Sequence, residues 1–271
     1  MSLEKFIQRP DRLPSLPRVV ALALRELDDP DPDLRRIGVL LQQDLMLTAR
    51  LLALANSARF NLRRGVTTVA EALPLLGLHE LRDLLYAAAL AGAFRDVGGM
   101  VLNDFWRYSL NSARLARRIA TGTPLAVTAY SAGLMHAVGE LVLHADAPQT
   151  MAELDARVPI YALDRAQAQV EVLGYSYADV GAAFARTWSL PRALVDAMEQ
   201  HVKLIDSREP LAAVVHLASW RSRTNMVQPD AEPLFSGAPT GVASGLGVDL
   251  HALLAPDVID WVTAQDLNAL A

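Results

Sequence analysis

The chain of 271 residues contains no cysteine. This excludes disulfide frameworks, thiolate zinc sites, iron–sulfur clusters and a cysteine nucleophile. Long apolar runs are missing too. The longest candidate, Leu84 to Phe94 between Asp83 and Arg95, has eleven residues, about half of the ~20 that a bilayer-spanning helix needs. The opening MSLEKFIQRPDRLP lacks the apolar core of a secretory signal. Positive charge is not in excess: 30 acidic against 25 basic residues leave a net charge of −5, so no global field draws in a nucleic-acid backbone. From these absences we expect a cytoplasmic protein with neither a membrane nor a nucleic acid as partner. What the chain does have is 52% hydrophobic side chains, only 6% of residues being aromatic, and a mean hydropathy of +0.21. That excludes disorder and suffices for one sizeable core or two smaller ones.

Ala, Leu, Arg and Glu dominate residues 13 to 225, with apolar positions recurring every three or four residues. This is the helical period, and strand alternation is scarce. The spacing predicts an all-α fold. A first helix starts near Pro17 with Ser15 as cap and stops near Asp28; Asp33 opens a second through Leu41; Asp44 opens a third that reaches Asn56-Ser57. After a loop through Asn61 to Gly65, Thr68 and Glu71 form a capping box for a helix ending at Gly77, and His79 to Arg95 forms the next. Beyond Gly98-Gly99, helices are predicted over about 102–121, 124–145, 159–173, 176–188 and 191–205. The Pro- and Gly-rich stretch Gln228 to Gly247 is predicted to be a surface loop, with a last amphipathic helix from Pro256 to Leu270. The expected organisation is two packed helical bundles, 1–98 and 99–223, a loop over 224–248 and a C-terminal helical segment over 249–271.

The most informative stretch is Gly133 to Leu143, where His136 interrupts an apolar helical pattern. A buried neutral imidazole held by neighbouring helices is its simplest explanation. The pattern also resembles the metal-binding helix of HD-superfamily phosphohydrolases, and the resemblance is stronger to the HDOD (HD-related output) domains. It covers Leu13 to about Trp220 and rests on an ordered series of short motifs. These are Leu13 to Pro17; Gln43-Asp44 with Leu51 to Ala58; Val69 to Leu73; Leu76-Gly77; Leu81-Arg82; Phe105 to Ser109; Gly133 to Gly139; Tyr175 to Gly181; Trp188 to Pro191; and His201. It implies an amino-terminal bundle packed on an HD-like bundle.

Carried over residue by residue, the resemblance also implies that most metal positions are altered. Tyr108 stands where related proteins have histidine, Ala137 where the His-Asp pair has aspartate, Tyr177 and Val202 where histidines occur, and Ser219 at the downstream aspartate. Only His136 and His201 keep ligand chemistry. Two imidazoles without a carboxylate are a poor site for hard divalent ions and for generating hydroxide. No metal and no cofactor is therefore expected. The resemblance implies a non-enzymatic bacterial signal-transduction or scaffolding module that binds other signalling proteins, in a family for which cyclic-dinucleotide signalling is a usual setting.

Alternatives stay open at this point. His136, Glu140 and His144 fall at i, i+4 and i+8 and can share one helix face, although the outer two then lie about 12 Å apart. A rearranged phosphohydrolase site would use His136, Glu140 and His201. A small-molecule sensor using the crevice between the helical halves is a third reading. Gly174 to Ala178 faintly resembles a nucleophile elbow but lacks its final glycine and preceding strand, so a helix-start serine is expected at Ser176. Gly241 to Gly247 lacks the lysine of a phosphate cradle. Arg35-Arg36, Arg63-Arg64 and Arg114 with Arg117-Arg118 read as solvated faces. Phe105, Trp106, Trp188 and Trp220 are expected in the core. The last segment either caps the HD-like bundle or mediates self-association through Ile259, Trp261, Val262 and Leu267.

Overall fold

The structure, a computed structural model, describes residues 17–57, 65–203, 209–227, 237–255, 259–263 and 267. The expectations for Leu13 to Leu16, Ala58, Asn61 to Arg64 and most of the terminal helix lie outside these residues. All regular structure among the described residues is helical. The chain divides into two compact units, Pro14–Arg95 and Asp96–Thr263.

The smaller unit contains α1 (Arg18–Leu27), α2 (Leu34–Leu41), α3 (Leu45–Ala55) and α4 (Val69–Ala93). The starts of α2 and α4 follow from side chains that accept orphan amides. Asp33 Oδ1 accepts from the N–H groups of Arg35 at 2.8 Å and Arg36 at 3.3 Å. Thr68 Oγ1 accepts from Glu71 N–H at 3.3 Å, while Glu71 Oε2 accepts from Thr67 N–H at 3.1 Å. Helix α4 is broken at Gly77, whose φ of 74° is open to glycine. This is where the sequence predicts one helix to end and the next to begin. Val20, Leu24, Ile37, Leu41, Leu51, Leu73, Leu81 and Leu85 fill the core of this unit.

The larger unit contains α5 (Leu102–Ile119), α6 (Ala126–Met135), α7 (Val138–Asp146), α8 (Pro148–Asp155), α9 (Arg165–Leu173), α10 (Tyr177–Thr187), α11 (Arg192–Gln200), α12 (Pro210–Val227) and the short α13 (Thr240–Gly245) and α14 (Leu250–Leu254). Helix α5 packs on α6 and α12, and α10 packs on α7 and α11. Two glycines permit the tightest approaches. A Cβ on Gly133 would sit 2.7 Å from the Ser112 carbonyl oxygen of α5, and one on Gly139 would sit 1.9 Å from the Tyr177 carbonyl oxygen of α10. Phe105, Trp106, Trp188 and Trp220 are buried, as expected.

Four expectations are corrected. The helix predicted over 124–145 is two helices, because Ala137 leaves the helical region (φ −102°, ψ 7°). The Ala126–Asp146 stretch is long and apolar enough to cross a membrane by composition, but it is mostly buried inside the bundle. The helix predicted over 159–173 starts only at Arg165, and the unpredicted α8 precedes it with Pro148 in its first turn. That position tolerates proline because its amide would be unpaired anyway. The 228–247 loop contains α13, which starts after Pro239 and so leaves its own amides intact. Residues 259–263 of the predicted terminal helix are not helical.

Candidate functional site

Five side chains from five helices or helix ends of the larger unit meet in a buried polar cluster. Tyr108 comes from the middle of α5, Tyr177 from the first turn of α10, and Arg223 from the last turns of α12. His136 and His201 occupy the C-caps of α6 and α11. Each histidine sits where a helix runs out of internal amide partners, and its ring satisfies one leftover carbonyl. His136 Nδ1 lies 2.7 Å from Gly133 O and His201 Nδ1 lies 2.7 Å from Met198 O, both three residues back.

Those carbonyls accept, so each Nδ1 carries the proton and each Nε2 presents a lone pair. Both lone pairs are taken by phenols. Tyr108 Oη lies 2.7 Å from His136 Nε2, and Tyr177 Oη lies 2.9 Å from His201 Nε2. Burial pushes the Tyr108 and Tyr177 phenols up from their ordinary pKa, so both keep their protons and donate to the imidazoles. Burial lowers His136 to about 3 and holds His201 well below the usual histidine range, so the rings stay neutral.

Arg223 joins the two arms. Its Nε donates to Tyr108 Oη at 2.8 Å, its Nη2 to Tyr177 Oη at 2.7 Å, and its Nη1 to the Ala162 carbonyl at 3.0 Å. Burial opposes its charge, but the field of the two phenol oxygens, the hydrogen bond to Tyr108 and the field of Glu140 outweigh that, so its pKa is raised and it stays cationic. No carboxylate hydrogen-bonds to it among the described residues. The result is two parallel chains of donors, each running from one guanidinium through a phenol and an imidazole to a helix-terminal carbonyl. The His136 and His201 rings also meet edge to face, with centroids 5.3 Å apart. The half-buried Tyr161 packs edge-on to Tyr108 at 5.3 Å.

A second buried network lies beside the first. Glu140 receives Arg165 in a two-pronged pair, Nε to Oε1 at 3.1 Å and Nη2 to Oε2 at 3.2 Å, and Oε1 also accepts from Gln169 Nε2 at 2.9 Å. Arg165 reaches Asp155 Oδ1 at 2.7 Å as well. His144 lies between the Glu140 carbonyl at 2.7 Å and Asp155 Oδ2 at 2.9 Å. Gln169 Oε1 accepts from the Tyr177 N–H at 2.7 Å, which ties this network to the first.

The structure therefore unites Tyr108, His136, Tyr177 and His201, four of the positions singled out in the sequence. Ser219 lies one turn before Arg223 and donates to the His216 carbonyl at 3.0 Å. Ala137 is buried at the helix break, and Val202 is half-buried in the turn after α11. The break puts His136 on a different helix from Glu140 and His144, so the three do not share one face. Glu140 turns to Arg165 and Gln169, not to the two histidines. Among the described residues no group of three or more His, Asp or Glu is placed to hold a metal ion. Ser176 caps α10 in a reciprocal box with Asp179, as a helix-start serine should. Arg223, Arg165 and Gln169 were not anticipated. The available signal for Arg223 was its position four residues after Ser219, on the same face of a helix rich in Ala and Val.

Fold and cluster together define a helical domain of HD type, with tyrosines and an arginine among its buried histidines. The chain belongs to the HDOD domain family, whose model matches residues 13–204. It is similar along its whole length to a "putative phosphohydrolase" from Shewanella amazonensis SB2B, with 29% identity, a TM-score of 0.76 and 98% of each chain covered. An HDOD domain protein of unknown function from Geobacter sulfurreducens is 30% identical with a TM-score of 0.66, over 80% of this chain and 75% of that one. An uncharacterized protein from Treponema pallidum (strain Nichols) is 29% identical over 79% of this chain and 43% of its own length. This chain thus spans less than half the length of the curated relatives it matches.

Proposed function

We propose that this HDOD domain is non-catalytic and serves bacterial signal transduction by binding other proteins. The observation that carries the reading is Arg223. Its guanidinium lies between the two phenols that stand at former ligand positions, within hydrogen-bond distance of both. A divalent ion beside it would face a fixed positive charge, two protonated phenols and two imidazoles whose lone pairs are already used. The nearest carboxylate network, Glu140 with Asp155, is engaged by Arg165. Hard cations need oxygen donors and compensating negative charge, so this donor set does not suit them. Signalling proteins, in a setting linked to cyclic dinucleotides, are the partners the family resemblance implies.

The test is metal analysis of the purified protein together with turnover assays on nucleotides and cyclic dinucleotides. We expect no stoichiometric tightly held metal and no turnover above that of a His136→Ala variant. Bound metal with hydrolysis that this substitution abolishes would overturn the reading in favour of a phosphohydrolase using His136, Glu140 and His201. The likeness to the Shewanella chain makes that outcome the one to look for.

A further inference from the structure

One buried polar group in the larger unit is satisfied by the main chain of a distant segment. Asn111, in α5 and 1% exposed, accepts the Val262 N–H on its Oδ1 at 2.8 Å. Residues 259–263 are not helical, and their turn closes on itself through a bond from Trp261 N–H to Ile259 O at 3.0 Å. The segment lies on a groove between α5 and α12. Arg114 of α5 donates to the Asp260 carbonyl at 3.0 Å and pairs with its carboxylate at 3.3 Å. Arg221 of α12, 5% exposed and with no hydrogen-bond partner for its Nε, stacks over the Trp261 ring at 4.8 Å. Ile259 and Val262 are buried on either side, 9% and 8% exposed.

We propose that this groove is a peptide-docking site, occupied in cis by the chain's own segment and addressed in trans by a partner segment of the same chemistry: apolar, acidic, aromatic and apolar in order. Three features point to peptide recognition. Asn111 reads a main-chain amide, which any partner sequence supplies. Arg221 offers a desolvated cation that an aromatic ring covers. Arg114 holds the main-chain carbonyl one position before that ring and adds a weak, solvent-exposed preference for an acidic side chain there. Being part of the same chain, the cis segment competes at high effective concentration. A partner therefore docks when its peptide binds more tightly or when the segment is drawn away. The inference deepens the recognition reading by naming a partner chemistry. Metal and turnover assays address that reading separately, so failure of peptide docking leaves it standing.

The probe is a fluorescein-labelled synthetic peptide of residues 255–266, titrated by anisotropy against the full chain. A Trp261→Ala, Val262→Pro double variant removes the ring and the amide of the cis segment. It is expected to bind the peptide at least tenfold more tightly than the wild type, and adding Asn111→Leu is expected to abolish that gain. Equal binding by wild type and double variant, or a gain indifferent to Asn111→Leu, would overturn the proposal. Should the double variant misfold by circular dichroism, hydrogen exchange of the Val262 amide in the wild type decides. Acceleration by millimolar peptide supports cis–trans competition, and an unchanged rate refutes it.

Discussion

Tyr108 Oη accepts from Arg223 Nε at 2.8 Å and lies 2.7 Å from His136 Nε2, so one phenol both receives a proton from a cation and offers one to a neutral ring. Removing the guanidinium takes the donor from both phenol oxygens at once, while the Ala162 carbonyl keeps the Arg165 N–H at 3.2 Å. Each buried acceptor left unsatisfied costs about 1–3 kcal/mol. Arg223→Met is therefore expected to lower the stability of the larger unit by at least about 2 kcal/mol in urea unfolding. Arg223→Lys should recover less than half of this, since a point ammonium cannot span two phenols and a carbonyl as a planar fork does.

The histidines give a pH dependence of fixed sign. His136 has its folded-state pKa depressed to about 3, against about 6.5 when unfolded. Between these values the unfolded chain binds a proton that the folded chain refuses. The contribution is fully present above about pH 6.5 and is lost as pH falls toward 3, by about 1.4 kcal/mol per pH unit for this one group. His201 shifts in the same direction, for the same reason of burial. Urea midpoints measured at pH 7.5, 6.0 and 5.0 should fall steadily, and His136→Gln should flatten the slope by about one proton. A midpoint that rises on acidification contradicts the assignment.

Gly139 sets the distance between α7 and α10. A Cβ there would meet the Tyr177 carbonyl oxygen at 1.9 Å, and backbone cannot swing away as a side chain can. Gly139→Ala is expected to cost about 3 kcal/mol or more, at the upper end for overpacking. It also drags Tyr177 from Arg223. Tyrosine fluorescence or second-derivative absorbance of the folded variant should report a changed phenol environment, whereas Gly241→Ala, with open space around its Cβ position, should change neither readout.

How much of this was legible depended on whether the deciding interaction was local. Asp33, Thr68 and Ser176 cap helices through atoms within three residues, so those starts could be read directly. The break at Ala137 could not, because alanine favours helix and the cause is tertiary, with Gly133 and Gly139 docking on two different helices. The same holds for the site. His136 stood out as a polar group in an apolar helix, and His201 through the family resemblance. Arg223 did not, since Arg221 lies two residues away and either could have faced water. Its role depends on Tyr108 and Tyr177, which are 115 and 46 residues distant in the chain.

The pair of Glu140 and Arg165 offers a prediction about sign as well as size. Both side chains are buried, at 2% and 0% exposure, so each charge is tolerable only beside the other. Arg165→Ala leaves the Glu140 carboxylate with Gln169 as its remaining donor, and Glu140→Ala leaves Arg165 with Asp155 and the Val158 carbonyl. Either single change is expected to cost about 3–5 kcal/mol. The double change Glu140→Ala, Arg165→Ala should cost clearly less than the sum of the two, because the desolvation of both charges disappears with them. A denaturant double-mutant cycle measures this directly. Strict additivity would mean that the two groups do not depend on each other, contrary to the geometry at 3.1 and 3.2 Å.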